Sequence, residues 1–268
     1  NDVKGRTTML SPGAKFDELM DTDLLDQSRK KVYQSVVGSL LYIIRAARPD
    51  SMFGVWFLAC GMSNPTVLMW FAMMHCLRYM KSTMDCKLVY SLQDLNSQID
   101  LSSYDYDTSV LTAFSDSNWE AELSVSSNVV MLCNAALLWR VRKQKAVSLS
   151  TVQAELTALS SNAQDVEYAR DIFRFLGISA KDPTVLYCDN KGAMQNAIHP
   201  SFSDRLRHVN NKIFYVRQVV QKKAARIVWI PTSMNPADLG TKAIGARLQR
   251  LYGTFLLGAE LLVPLVSR

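Results

Sequence analysis

Residues 151–176 read as one uninterrupted amphipathic helix, and no other stretch restricts the fold so strongly. Leu156, Leu159, Ala163, Val166, Ala169, Phe173 and Leu176 recur at steps of three and four, forming one apolar stripe. Ser150 stands where an N-cap belongs, with Gln153 three residues on as a capping-box partner, and Gly177 stands where the helix should stop. A stripe of that length needs an extended apolar surface, and strand patterns lie on both sides of it. Before it come runs at 110–115, 127–133 and 135–141, separated by turns. After it come a strand at 184–188, a helix from about 190, a second helix at about 204–223, a strand at 226–230 and a final helix from Pro236. Three hairpin-like strands followed by alternating helix and strand predict an α/β domain with a mixed sheet and flanking helices.

The N-terminal third reads differently. Residues 1–32 are polar and irregular. Helical patterns then run from Tyr33 to about Ala47, from Ser51 to Met62 and from Pro65 to Lys81, with turn signals at Arg48-Pro49-Asp50 and Ser63-Asn64-Pro65. This predicts a small helical bundle over 33–91, with a short strand at Lys87–Ser91. Ser51 to Leu77 carries no charge, a length sufficient for a membrane span, but Gly61 to Pro65 cuts it into pieces too short to cross a bilayer. A buried helix pair is therefore expected, with no membrane contact. Residues 92–109, acidic and polar, read as a linker; 110–245 as the α/β domain; and 246–268 as a C-terminal tail. No leader pattern is read at the N-terminus, which leads us to expect an intracellular protein, cytoplasmic or nuclear and not secreted.

The composition, 49% hydrophobic and 20% charged, excludes a disordered chain. The five cysteines form no CxxC pair and read as small buried hydrophobes of a reducing compartment. With only three histidines besides, a zinc centre is not expected. The net charge of +6 favours a polyanionic partner, and the surplus is concentrated in residues 111–268, with 19 Lys and Arg against 12 Asp and Glu. That same half holds four acids at predicted element boundaries. Asp116 follows the apolar run Val110–Phe114, Glu155 lies near the start of the long helix, Asp189 follows Val185–Cys188, and Asp238 lies behind Asn235-Pro236. Each alone could be a cap or a solvated turn. Together they suit a carboxylate site for hard divalent cations, where two ions about 4 Å apart can activate water and stabilise a leaving oxygen. Such a cluster repels itself unless metal occupies it.

The blocks FSDSNW, LLWRVRKQKAVSLSTVQAEL, YCDNKGAM, RLRHVN and IPTSMNPADLGTK, preceded by YQSVVGSLLYI, RPD, MSNPT, LRYMKST and LVYS, resemble the end of the polyprotein of copia-type LTR retrotransposons. The likeness runs from Tyr33 to about Gly245 and covers thumb-like helices of a reverse transcriptase followed by a ribonuclease H domain. It implies a ribonuclease H-like mixed sheet preceded by a small thumb-like bundle. Asp116, Glu155, Asp189 and Asp238 fall on the family's four metal-binding, catalytic acids. The implied activity is endonucleolytic hydrolysis of the RNA strand of RNA/DNA hybrids with two Mg²⁺ or Mn²⁺ ions, in a virus-like particle or the nucleus. Recognition would be by groove shape, phosphates and 2′-OH groups. The candidates for backbone contact are Arg140, Arg142, Lys143 and Lys145, then Arg205, Arg207 and Lys212, with Asn190 at a helix N-terminus. Trp119 and Trp139 read as core aromatics rather than stacking platforms.

Departures keep a second reading open. The family's Gly-Gly pair near the second strand is replaced by Asn134-Ala135, and its Lys-His-Ile-Asp-Ile-Arg-Tyr-His-Phe block reads RHVNNKIFY. The third thumb helix, usually dotted with Lys and Glu, reads TVLMWFAMMHCL. A face this apolar needs cover, for which a polymerase palm or fingers segment or a second copy of the chain are candidates. The alternative function is a non-catalytic module that binds nucleic acid or protein. Glu155, placed between the first two aspartates on the helix after three strands, argues against a transposase or integrase. DNA synthesis is not expected, because no polymerase YxDD signature is present.

Overall fold

The computed structural model describes residues 5–90, 111–119, 124–177, 182–199 and 209–258. By spatial clustering these fall into two units, one holding the residues up to Val89 together with those from Lys242, the other spanning Tyr90 to Thr241. The linker expected at 92–109 lies outside the described residues.

In the first unit, α1 (Phe16–Met20), α2 (Gln27–Ala46), α3 (Met52–Cys60) and α4 (Val67–Ser82) form the bundle. α2 turns Tyr33, Val37, Leu40 and Ile44 inward, a stripe at i, i+4, i+7 and i+11, and Asp26 caps its start by accepting from Arg29 N–H. Tyr33 is fully buried and satisfies its hydroxyl by donating to Leu58 O at 2.9 Å. Arg48 and Asp50 are buried as a pair, with Arg48 Nε donating to Asp50 Oδ1 at 2.8 Å and Arg48 Nη2 to Oδ2 at 2.7 Å. Tyr79 Oη of α4 donates to the same carboxylate at 2.9 Å.

α4 explains the apolar run at 65–81. It buries Met69, Met73, Cys76 and Tyr79 inward. Along its other side, the lead-in from Arg6 to Leu19 makes a cavity of about 520 Å³ with Leu68, Trp70, Phe71 and Arg78. The lead-in is thus not an irregular appendage: Met9 and Leu10 are buried in the bundle core. The region from 246, read as a tail, contains α8 (Ala246–Leu257), which buries Tyr252, Leu256 and Leu257. α8 belongs to the first unit, with Gln249 Nε2 donating to Asp50 O at 2.8 Å. No strand forms at 87–90; Val89 N–H instead donates to Leu257 O at 2.8 Å. No helix among the described residues is long and apolar enough to cross a membrane.

The second unit is the mixed α/β domain anticipated from the sequence. Its strands are β1 (Leu111–Asn118), β2 (Val125–Leu132), β3 (Ala135–Lys143), β4 (Thr184–Cys188) and β5 (Ala225–Trp229), in the order β3-β2-β1-β4-β5. β1, β2 and β3 pair antiparallel, whereas β4 runs parallel to β1 and β5 parallel to β4. The long helix is α5 (Thr151–Phe175), whose stripe from Leu156 to Phe173 is buried with Leu111, Ala113, Val130 and Leu186 of the sheet. Leu156 and Leu159 are fully buried, each contributing about 1.5–3 kcal/mol by leaving water. Ser150 accepts from Gln153 N–H, and Gln153 Oε1 accepts from Leu149 N–H at 2.8 Å, one residue before the N-cap N–H that a capping box would use. Gly177 ends the helix at φ +74°, a conformation that a side chain would strain. α6 (Lys191–Ile198) and α7 (Asn210–Gln221) complete the layer, the first turn or more of the helix expected from 204 lying outside the described residues. The final helix expected from Pro236 is instead a 3-10 turn, Pro236–Gly240.

Candidate metal and nuclease site

The sheet changes winding direction between β1 and β4. The chain builds outward from β1 through β2 to β3 and then resumes on β1's other side. In open α/β sheets the crevice at the carboxyl ends of strands flanking such a point is where ligands bind. The register makes the crevice acidic. Ser115 is paired with Cys188, so the next residues along the parallel strands, Asp116 and Asp189, emerge side by side. Asp116 lies two residues inside the end of β1, opposite Ser127, and not at the strand exit as its sequence setting suggests.

Two further elements deliver the remaining acids. Asp238 rides on the Pro236–Gly240 turn, which Asn235 starts by accepting from Ala237 N–H at 3.2 Å. Asn235 is fully buried and its Nδ2 donates to Ser115 O at 3.0 Å, fixing the turn to β1. At the far end of the turn, Thr241 Oγ1 donates to Asp116 Oδ2 and is 3.2 Å from Asp238 O. Carboxylate oxygens of Asp116, Asp189 and Asp238 all lie within 4.8 Å of one another. Glu155, fifth residue of α5, reaches the same end of β1 and accepts from Ser117 N–H through Oε1 at 3.2 Å. A carboxylate oxygen of Glu155, the Cys188 sulfur and a carboxylate oxygen of Asp189 form a second group within 4.8 Å. Asp189 is common to both groups, so all four predicted acids meet.

The electrostatics are adverse without a cation. Burial raises the Glu155 carboxyl well above its usual range, and the negative charges of Asp116 and Asp189 push it in the same direction. Glu155 is only 6% exposed, and its Oε2 has no hydrogen-bond partner among the described residues. A buried, unbonded carboxylate oxygen on a residue grouped with other acids fits a cation site. All-oxygen donors in that number suit Mg²⁺ or Mn²⁺.

The predicted backbone-contact residues divide. Arg142, Lys143 and Lys145 are exposed at and beyond the end of β3. Arg140 is partly exposed and ion-paired with Asp165 of α5, which also accepts from Asn128 Nδ2. Lys212 Nζ donates to Thr157 Oγ1 at 2.9 Å, which ties α7 to α5. Asn190 caps α6 by accepting from Ala193 N–H at 2.9 Å, so its carbonyl is occupied structurally. Arg205 and Arg207 lie outside the described residues. Trp119 is 51% exposed rather than in the core, its ring held by Nε1 donating to Ser148 O at 2.8 Å. Trp139 is partly exposed on β3. Sequence reasoning missed Asn235, Thr241 and Cys188 as parts of the site, although two lie in the quoted block around Asp238 and one in the block around Asp189.

No family model matches the chain. Retrovirus-related Pol polyproteins from plant transposons are among its relatives. That of transposon RE2 from Arabidopsis thaliana is 30% identical over 216 residues, 79% of this chain and 14% of the polyprotein. The chain therefore spans about one seventh of that relative's length. A secreted RxLR effector protein (161) from Plasmopara viticola is 31% identical over 137 residues, half of this chain and 87% of that protein. Among solved structures, LC11-RNase H1 in complex with RNA/DNA hybrid is similar with a TM-score of 0.37 and 12% identity, over 47% of this chain and 88% of that one.

Proposed function

We propose that this chain, whose homologues are retrovirus-related Pol polyproteins from plant transposons, is a ribonuclease H that hydrolyses the RNA strand of RNA/DNA hybrids. The observation that carries the reading is the meeting of Asp116, Asp189, Asp238 and Glu155 at the switch point, with Glu155 Oε2 buried and unbonded. Asp116, between Thr241 and the pocket, would present one oxygen to a shared cation while the other is held by the threonine hydroxyl. Asp189, Asp238 and Glu155 would supply the other carboxylate oxygens. Divalent cations held by these four acids would lower the pKa of a bound water and stabilise the leaving oxygen. Arg142, Lys143 and Lys145 would meet backbone phosphates, which fixes position without reading sequence. Their exposure at the end of β3 supports that role, whereas Arg140 and Lys212 serve the fold.

The test is cleavage of an end-labelled RNA/DNA hybrid by the full chain in Mg²⁺ or Mn²⁺, beside Asp116→Asn and Asp189→Asn. The wild type should cleave the RNA strand, and each variant should lose about 10²-fold or more in rate. Equal cleavage by all three proteins removes the reading. Salt-sensitive hybrid binding with no metal-dependent turnover would favour the non-catalytic module instead.

A further inference from the structure

We infer that Cys188, with Glu155 and Asp189, forms a site for thiophilic divalent cations such as Cd²⁺ or Zn²⁺, overlapping the hard-metal pocket and able to block it. Binding at this site stands on the geometry alone; only the blocking rests on the nuclease reading above. The Cys188 sulfur and one carboxylate oxygen each of Glu155 and Asp189 lie within 4.8 Å of one another. That is close enough for small side-chain rotations to reach the bonds of about 2.0–2.3 Å found in zinc sites with sulfur and oxygen ligands. Cys188 itself is fully buried, next to the crevice rather than at the surface. Within this group Glu155 Oε2 is buried and without a hydrogen-bond partner among the described residues, an oxygen that a cation would satisfy.

The chemistry separates this set from the all-aspartate group. Mg²⁺ requires oxygen donors and gains nothing from a thiol, whereas softer cations prefer thiolate. On coordination the metal–sulfur bond replaces the S–H bond and the thiol proton leaves to solvent, so the protein pocket gains one negative charge toward the cation. The thiol's existing contact, to Asn190 O at 3.7 Å, is weak, but burial and then the negative charge of Glu155 push the thiol up, so the cation must offset both. A cation seated here would take Asp189 and Glu155 away from the Mg²⁺ set. Mg²⁺ could not displace it easily, because it cannot use the sulfur.

The other cysteines would bind cadmium too, Cys60 and Cys86 being exposed and Cys133 partly so. The experiment therefore starts from the full chain with Cys60, Cys86 and Cys133 changed to Ser. Cadmium is titrated alone while the ultraviolet charge-transfer band of the cadmium–thiolate bond is followed. The band should develop at one equivalent, vanish with Cys188→Ser, and require about tenfold or more cadmium with Glu155→Gln, which leaves the thiol and the core in place. No band, or a band unaltered by both substitutions, overturns the inference. In the hybrid assay, cadmium should inhibit the three-serine protein at concentrations about tenfold or more below those needed for its Cys188→Ser derivative. Equal inhibition of the two would remove the blocking role. A cadmium band in a protein that cleaves no hybrid would leave this site standing while ending the nuclease reading. Hybrid cleavage without the band would do the reverse.

Discussion

Thr241 joins two acids from distant parts of the chain. Its hydroxyl donates to Asp116 on β1 while its backbone closes the turn that carries Asp238. Thr241→Val keeps the shape and removes the hydroxyl, so Asp116 gains a rotational freedom that the pocket does not tolerate. We expect kcat on a hybrid substrate to fall about tenfold or more, with KM unchanged and Thr241→Ser close to wild type. A melting temperature that falls along with kcat, with neither restored by serine, would mean that the residue matters only for folding. Glu155 makes the opposite kind of prediction. Its buried carboxylate faces like charges, so without metal it opposes the folded state. Glu155→Gln should raise the melting temperature in chelator by about 2–4 °C and shrink the rise that Mg²⁺ or Mn²⁺ produces in the wild type. Calorimetry with and without chelator checks both; a melting temperature lowered in chelator contradicts the account.

Among the elements, those with strong periodicity formed where the pattern put them, and those that depended on partners did not. α5 has its cap, its stripe and its glycine stop within the chain's local sequence, and it differs from the expected bounds by one residue. The final helix failed because Asn235 and Pro236 start a turn that is clamped at both ends to β1, leaving no room to propagate; helix resumes only at Ala246. In the bundle, the RPD turn matters more than its length suggests. Arg48 and Asp50 are buried at 7% and 1% side-chain exposure, with Tyr79 and Thr83 bonded into the pair. Asp50→Ala would leave the guanidinium buried with no carboxylate, at a cost of about 3–5 kcal/mol. Urea unfolding monitored by far-ultraviolet dichroism measures it, and a loss near zero would mean the guanidinium finds water.

For the molecule as a whole, the proposed function joins charge to topology: a net charge of +6 would favour a polyanion, and the acidic crevice would accept it only through cations. If Arg142, Lys143 and Lys145 neutralise phosphates, changing each to Ala should weaken hybrid binding at all sequences. Each change should also reduce the slope of log K against log salt by about 1. Arg140→Ala should leave that slope unaltered, because its partner is Asp165. A fluorescence titration at several salt concentrations distinguishes them. The local sequence determined the long helix, the strand series, the mixed sheet and the identity of the four acids, because caps, periodicity and side-chain chemistry act within a few residues of chain. Tertiary structure alone decided that Asp116 and Asp189 stand in register on parallel neighbours, that Thr241 binds Asp116 across 125 positions, and that the Cys188 sulfur lies within 4.8 Å of Glu155 and Asp189 oxygens. It also gave Arg140, Lys212 and Asn190 bonding partners within the domain, to Asp165, Thr157 and Ala193, that the sequence did not indicate. Strand pairing and side-chain hydrogen bonds between remote segments are chosen by what each group meets when the layers close, and no spacing along the chain encodes that meeting.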